Sequence, residues 1–389
     1  MLSSGRTQPD RCPGVLAVHE AADGGLARVR LPGGLLTADQ LRVLLEASTD
    51  LGDGRLELTS RGNLQIRALR PGAPQELSDR LYAAGLLPSI AHERVRNILA
   101  SPLSGLDQHS RYDVLPAVAE LDRLLCADPR YVELPGRFLF ALDDGRGDLA
   151  TAGADVGVRM VDADLAALLL AGEDTGVRVT PERLATVLAE AAVAFLDERS
   201  AQGSSAWRLA ELAQGPKAVL ARMSTENSTA EQFAPGEPVR AGRVADALVA
   251  VVPLGSLERP QAEVLAQYAV RGLRVTPWRS VVLPGLADDE VVERIAAAGL
   301  VVDSESPWNK VTACAGRPGC AKALADVRAE ARRVTPRLPA RHRAVHWSGC
   351  ERRCGQPGGD FVDVLALADG YSVDGGPAAT AEQSVMRMR

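Results

Sequence analysis

Two stretches of this chain spell the same order of elements, and that duplication limits the available folds more than any other feature. Residues 26–86 contain LARVRL, TADQLRVLLEAST, RLELTS, NLQIRAL and ELSDRLYAAGL, and residues 245–300 contain ADALVAVVPLG, PQAEVLAQYAV, GLRVTP, SVVLPGL and DEVVERIAAAGL. Each copy reads strand, helix, strand, strand, helix. In the first copy Thr37 and Gln40 have the spacing of a capping box, and Leu41, Leu44 and Leu45 recur at helical period. Leu56, Leu58, Leu64 and Ile66 alternate with polar neighbours, as half-buried strands do. Units of this kind imply an open α+β sheet, paired across a pseudo-twofold.

The segments after each copy also correspond. After the first come HERVRNILASPLSG, a helix near Val114–Cys126 and a strand at 137–142. After the second come SPWNKVTACAGRPGC, a helix at 321–333 and a strand at 344–347. Between them, residues 201–240 are rich in Ser, Gly and Pro and read as a linker, and 375–389 read as a disordered tail. The chain, 46% hydrophobic and 24% charged, has a globular composition, with no apolar run long enough to span a bilayer. A net charge of −6 argues against nucleic-acid binding. The opening MLSSGRTQPDRCPG has no apolar signal region, so a cytoplasmic location is expected.

Six cysteines in such a chain are not a disulfide framework. Cys314 and Cys320 are spaced C-x5-C, and Cys350 and Cys354 are spaced C-x3-C. All four lie in residues 306–356, a segment of net charge +8. Cationic surroundings favour thiolate over thiol. Two short-spaced thiolate pairs suit zinc or an iron–sulfur cluster, and the longer Gly-Arg-Pro-Gly bridge suits the wider reach of a four-iron cube. Cys320 precedes the expected helix, which would let its sulfur accept N–H bonds from a helix N-terminus. Cys126 and Cys12 read as structural residues. None of the five histidines shows H-x-D or H-x-E spacing; His92-Glu93, a histidine and a carboxylate beside VRNILASP, is a candidate metal pair, and His346 precedes the last two cysteines. No G-x-G-x-x-G or Walker pattern is present, so nicotinamide is not expected to bind this chain directly.

The cysteine pattern resembles the [4Fe-4S] signature of the siroheme-dependent nitrite and sulfite reductases. LTSRGNLQIRAL resembles that family's strand–turn–strand with an anion-binding arginine, and VRNILASP its second arginine motif. The resemblance covers roughly residues 12–370. It implies a duplicated unit in which a ferredoxin-like half-domain is joined to a larger α/β domain: half-domains at 12–85 and 241–303, a reductase-like domain at 90–200 and an iron–sulfur domain at 306–372. It further implies cluster ligation by Cys314, Cys320, Cys350 and Cys354, and a tetrapyrrole pocket that includes Arg61, Asn63, Arg96 and Arg137. Arg67 is a further candidate, facing the same side as Asn63 and Gln65.

Two departures separate this chain from the reductases. In LPGRFLFALDDG the family's first basic position keeps Arg137, but the second is Leu139. GluArgArg stands between the last two cysteines. DRCPGVLAVHEAADGGLARVRLPGG, ELPGRFLFALDDG and ACAGRPGC are closer to a specialised branch, the precorrin-3B synthases of aerobic cobalamin biosynthesis. That branch implies an O2- and NADH-dependent monooxygenase acting on precorrin-3A, with a [4Fe-4S] cluster, a mononuclear non-haem iron and an external reductase or ferredoxin. The rival expectations are a siroheme nitrite or sulfite reductase, and a non-enzymatic iron–sulfur or zinc module.

Overall fold

The computed structural model describes residues 12–223, 228–286, 288–339, 342–377 and 379–383. Most of the opening segment and the last six residues lie outside these. The first half-domain runs β1 (His19–Ala21), β2 (Gly24–Val29), β3 (Leu35–Leu36), α1 (Ala38–Leu51), β4 (Leu56–Leu58), β5 (Leu64–Leu69) and α2 (Ala73–Ala83). A larger domain comes next, with β6 (Ile98–Ala100), α3 (Leu115–Ala127), β7 (Phe140–Asp143), β8 (Val156–Met160), β9 (Ala166–Leu170), β10 (Glu173–Val179), α4 (Leu184–Ala201) and α5 (Gly215–Arg222). The second half-domain has β11 (Gly242–Val244), β12 (Ala247–Val251), β13 (Ser256–Leu257), α6 (Arg259–Tyr268), β14 (Leu273–Val275), β15 (Ser280–Leu283) and α7 (Asp289–Ala297). The last domain has β16 (Val311–Ala313), α8 (Val327–Val334), β17 (Ala344–Ser348), β18 (Phe361–Leu367) and β19 (Gly370–Val373).

The repeat is visible as symmetry, and the halves exchange strands. One half-domain sheet is ordered β1-β2-β5-β4-β13 and the other β11-β12-β15-β14-β3, so each ends in a strand from the other half. Leu36 pairs with Leu273, and Leu257 with Leu56. Both exchanged strands lead into a capped helix. Thr37 and Gln40 close a capping box on α1, and Glu258 and Gln261 close one on α6. A tight turn precedes each exchanged strand, with Gly34 (φ 73°) in one and Gly255 (φ 70°) in the other. A Cβ on Gly34 would collide with the Val275 carbonyl oxygen, so this position requires glycine. The inner faces of the two sheets and helices α1, α2, α6 and α7 share one core, which includes Leu41, Leu44, Leu56, Leu64, Ile66, Leu248, Leu265 and Ile295.

The other two domains also match each other. Strands β6, β7 and β8 are parallel neighbours with β9 antiparallel beside them, and β16, β17, β18 and β19 repeat that order. Helix α4 packs with α3 against the first of these sheets, burying Leu184, Val187, Leu188, Ala191 and Phe195.

Three expectations change. The segment 201–240 is more than a linker: Leu209, Leu212 and Val219 join the core under α4. The helix expected at 321–333 begins at Val327, capped by the Asp326 carboxylate on the Ala329 amide at 3.0 Å. Cys320 is therefore in a loop, not at a helix end. Part of the tail expected to be disordered docks back: Ala379 pairs with Tyr371, and Glu382 meets Arg333 at 2.6 Å.

Candidate functional site

Parallel strands carry loops away at their carboxyl ends, where side chains from different segments converge. Cys314 directly follows β16, and Cys350 lies two residues beyond β17. The Cys314 amide donates to Trp347 O at 2.9 Å, extending the ladder, and the Gly349 amide donates to Cys314 Sγ at 3.1 Å. The loop bearing Cys320 is tied across by Leu324 N–H to Gly349 O at 2.8 Å. Cys314, Cys320 and Cys350 all come within electrostatic reach of Cys354. Burial raises the pKa of Cys354, Arg352 lowers it, and Cys314, Cys350 and Cys320 raise it again. Among the described residues, no three His, Cys, Asp or Glu close on one point as a single ion requires. The C-x5-C and C-x3-C loops leave the carboxyl ends of the neighbouring parallel strands β16 and β17.

The first half of the chain holds this site. Arg67 on β5 forms a two-bond pair with Asp23, both at 3.0 Å, and donates to Gly319 O at 2.6 Å. Arg328 on α8 forms a buried pair with Glu57 on β4 and donates to Cys314 O at 3.1 Å. Both arginines brace backbone between or beside cysteines.

Alternation along β2 and β5 sends one set of side chains into the core and the other to the opposite face. That opposite face carries Arg28, Arg30, Asn63, Gln65 and Arg67. Arg28 and Arg30 both donate to Cys12 Sγ, at 3.3 and 3.2 Å. Burial, with Arg28 and Arg61 nearby, lowers the Arg30 pKa to about 10 despite Cys12 and Glu93. Arg61, in the β4–β5 hairpin, is lowered to about 10 by burial and by Arg208 and Arg28. Among the described residues its guanidinium makes no hydrogen bond or ion pair. Crowded, desolvated guanidiniums with few carboxylates are a receptor for anions.

The expected pocket residues therefore divide. Arg61 keeps an unpaired guanidinium among the described residues. Arg137 is exposed, 5.2 Å over the Trp207 ring. Asn63 is consumed by the fold: its Oδ1 accepts from Leu31 N at 2.9 Å, and it is buried. Arg96 is held by Asp122 through bonds of 2.6 and 2.7 Å and by Leu86 O, so its charge is already answered. Arg67 faces the side of Asn63 and Gln65, as expected, but serves as a brace. His92 is spent on Ser89 and Asp128 O, and Glu93 on the Val15 amide. His346 bonds Thr312 at 2.8 Å, and burial beside Arg279 lowers its pKa to about 4. The mononuclear iron has no ligand set among the described residues. Leu139 is buried with Leu99, Ala141 and Leu149, and Trp278 packs against them, so the second cation position is walled with carbon. Arg28 and Arg30 were missed, although their i, i+2 spacing in LARVRL was the available signal.

Residues 19–84 match the family model of the nitrite/sulfite reductase ferredoxin-like half domain. A precorrin-3B synthase from Sinorhizobium sp is 26% identical, covering 96% of this chain and 86% of that protein. A ferredoxin–nitrite reductase from Synechococcus elongatus is 25% identical, covering 90% and 78%. The solved NirA protein of Mycobacterium tuberculosis shares the fold with a TM-score of 0.71 at 20% identity, covering 90% of this chain and 74% of that one. No helix among the described residues is long and apolar enough to cross a membrane. The chain thus shares the fold of the NirA protein, carries the nitrite/sulfite reductase ferredoxin-like half domain at residues 19–84, and is similar over nearly its whole length to a precorrin-3B synthase.

Proposed function

We propose that this protein is a precorrin-3B synthase, a monooxygenase that hydroxylates precorrin-3A with γ-lactone formation. One oxygen atom of O2 enters a new C–O bond of the macrocycle. The other leaves as water, with two protons and the two electrons of NADH. The observation that carries this reading is Leu139 in its apolar cluster, at the place where the reductase pattern has a second cation. A second cation there would suit a small inorganic anion, whereas a carbon wall in its place, together with the clustered Arg28, Arg30 and Arg61, suits an apolar ring edged with carboxylates.

Each part of the chain then has a task. Arg61 and the Arg28–Arg30 pair bind ring carboxylates, and Arg137 guards the rim over Trp207. Cys314, Cys320, Cys350 and Cys354 would hold a [4Fe-4S] cluster, which supplies single-electron transfer when bound. Arg317, Lys322 and Arg352 are exposed around the cysteine loops and present positive charge to an acidic electron donor, an external NADH-dependent reductase or a ferredoxin. No step is assigned to a mononuclear iron.

Optical and EPR spectra of protein purified without air test the reading. A cubane signal without siroheme, and precorrin-3A gaining one oxygen in the presence of NADH, a reductase and O2, are expected. Cys354→Ser should lose the cluster signal and the product together. Siroheme that co-purifies, with nitrite-dependent oxidation of a reduced dye, would replace this reading with the reductase one, which the retained Arg61 and Arg137 favour.

A further inference from the structure

The hairpins that join the last two strands of each half-domain sheet are built alike. Thr59 N–H donates to Asn63 O at 2.9 Å, and Thr276 N–H donates to Ser280 O at 2.9 Å. In both, the fourth residue is left-handed: Gly62 at φ 62° and Arg279 at φ 59°. Glycine takes that conformation freely, while a residue with a Cβ is disfavoured there by roughly 1–2 kcal/mol. Arginine in that place needs a compensating use.

The side chain shows what the use is. It runs over Gly255, where a Cβ would stand 2.6 Å from Arg279 Cδ. It ends with Nη2 3.4 Å from Gly355 O, the residue after Cys354. Burial and the neighbouring Arg328 disfavour its charge, and Glu57, the carboxylate that acts on it, is committed to Arg328. Among the described residues Arg279 has no ion pair. A strained backbone thus holds an unpaired, half-buried cation against the second cysteine loop.

We infer that Arg279 is a positioning residue that sets how readily a cluster on Cys314, Cys320, Cys350 and Cys354 accepts an electron. The inference rests on the cluster reading above. With four thiolates a [4Fe-4S]2+ core carries net charge −2, and one electron from an external low-potential donor takes it to −3. No bond forms or breaks and no proton is required. A fixed cation held against the cysteine loop favours the more negative state.

The test is an EPR-monitored redox titration of the holoprotein with dithionite as reductant. Arg279→Gln should lower the reduced-to-oxidised ratio at a given potential about tenfold, a midpoint shift of about 59 mV for one electron. Arg279→Lys should keep most of the wild-type value. Arg279→Gly should shift as far as Arg279→Gln while Tm holds or rises, because the backbone strain is relieved. Midpoints unmoved in the Gln and Gly variants, or a fall as large in the Lys variant, would overturn the inference. So would loss of the cluster from the Gln and Gly variants at unchanged Tm, which would make Arg279 a clamp. A wild-type protein without an iron–sulfur signal sinks the functional reading along with this inference; a cluster whose potential ignores position 279 sinks this inference alone.

Discussion

The Gly349 amide points at Cys314 Sγ from 3.1 Å, and the other half of the molecule repeats the bond with oxygen, the Asp144 amide donating to Ser101 Oγ at 3.2 Å. Ser101 continues β6 as Cys314 continues β16, with Ser101 N–H on Leu142 O and Cys314 N–H on Trp347 O. One scaffold thus presents sulfur in one copy and oxygen in the other. In the oxygen copy Arg146, paired with Asp107 and Asp144 at 2.8 Å, fills the loop with its own cation.

Gly349 has little space to change. A Cβ there would lie 2.7 Å from Ala323 Cβ, in the bridge that ties the two cysteine loops. Gly349→Ala is expected to destabilise by about 1–3 kcal/mol and to lower bound iron per protein. Thermal denaturation with iron analysis checks both.

Arg67 couples the halves through Asp23 and Gly319. Its removal leaves a largely buried carboxylate unpaired and frees the C-x5-C loop. Arg67→Ala should cost about 3 kcal/mol and speed loss of iron to a chelator. Arg67→Lys should recover only part of this, since an ammonium cannot reproduce the fork. An iron-loss rate equal to wild type would show that the loop does not depend on the brace.

Arg61 should behave in the opposite way. With no partner to lose, Arg61→Ala should leave stability unchanged or raised. It should weaken binding of a tetrapyrrole polycarboxylate by ten- to a hundred-fold, from loss of about 1.5–3 kcal/mol of charge-assisted bonding. Fluorescence or absorbance titration with the porphyrinoid reads this, and equal affinity would remove Arg61 from the pocket.

Asp148 predicts a pH effect far from the cysteines. Burial, then Asp143 and Asp144, raise its pKa to about 7, against the pull of Ser101 and Arg146. The folded chain therefore holds a proton that the unfolded chain releases near pH 4. Stability from this group falls as pH rises from about 4 to 7 and stays low above that. Asp148→Asn should be close to wild type at pH 5 and more stable by about 2 kcal/mol or more at pH 8. Melting curves at the two pH values measure the crossover, and a variant less stable at both would contradict it.

Local pattern determined much of this protein. The repeat, the alternation of Leu56, Leu58, Leu64 and Ile66, the Thr37–Gln40 box and the paired cysteines are short-range signals, because strand and helix periods act between near neighbours. Which arginines remain free was decided only by the tertiary structure. Arg96 and Arg61 sit in equally suggestive motifs, yet Asp122 arrives from α3 to neutralise one, while Asp155, the carboxylate near the other, is paired with Arg208. The same holds for Arg67, whose contact Gly319 lies 252 residues away. The strand exchange and the left-handed Arg279 belong to this second class. A guanidinium's role depends on what packing brings against it, and partners supplied by distant segments leave no periodic trace in the chain.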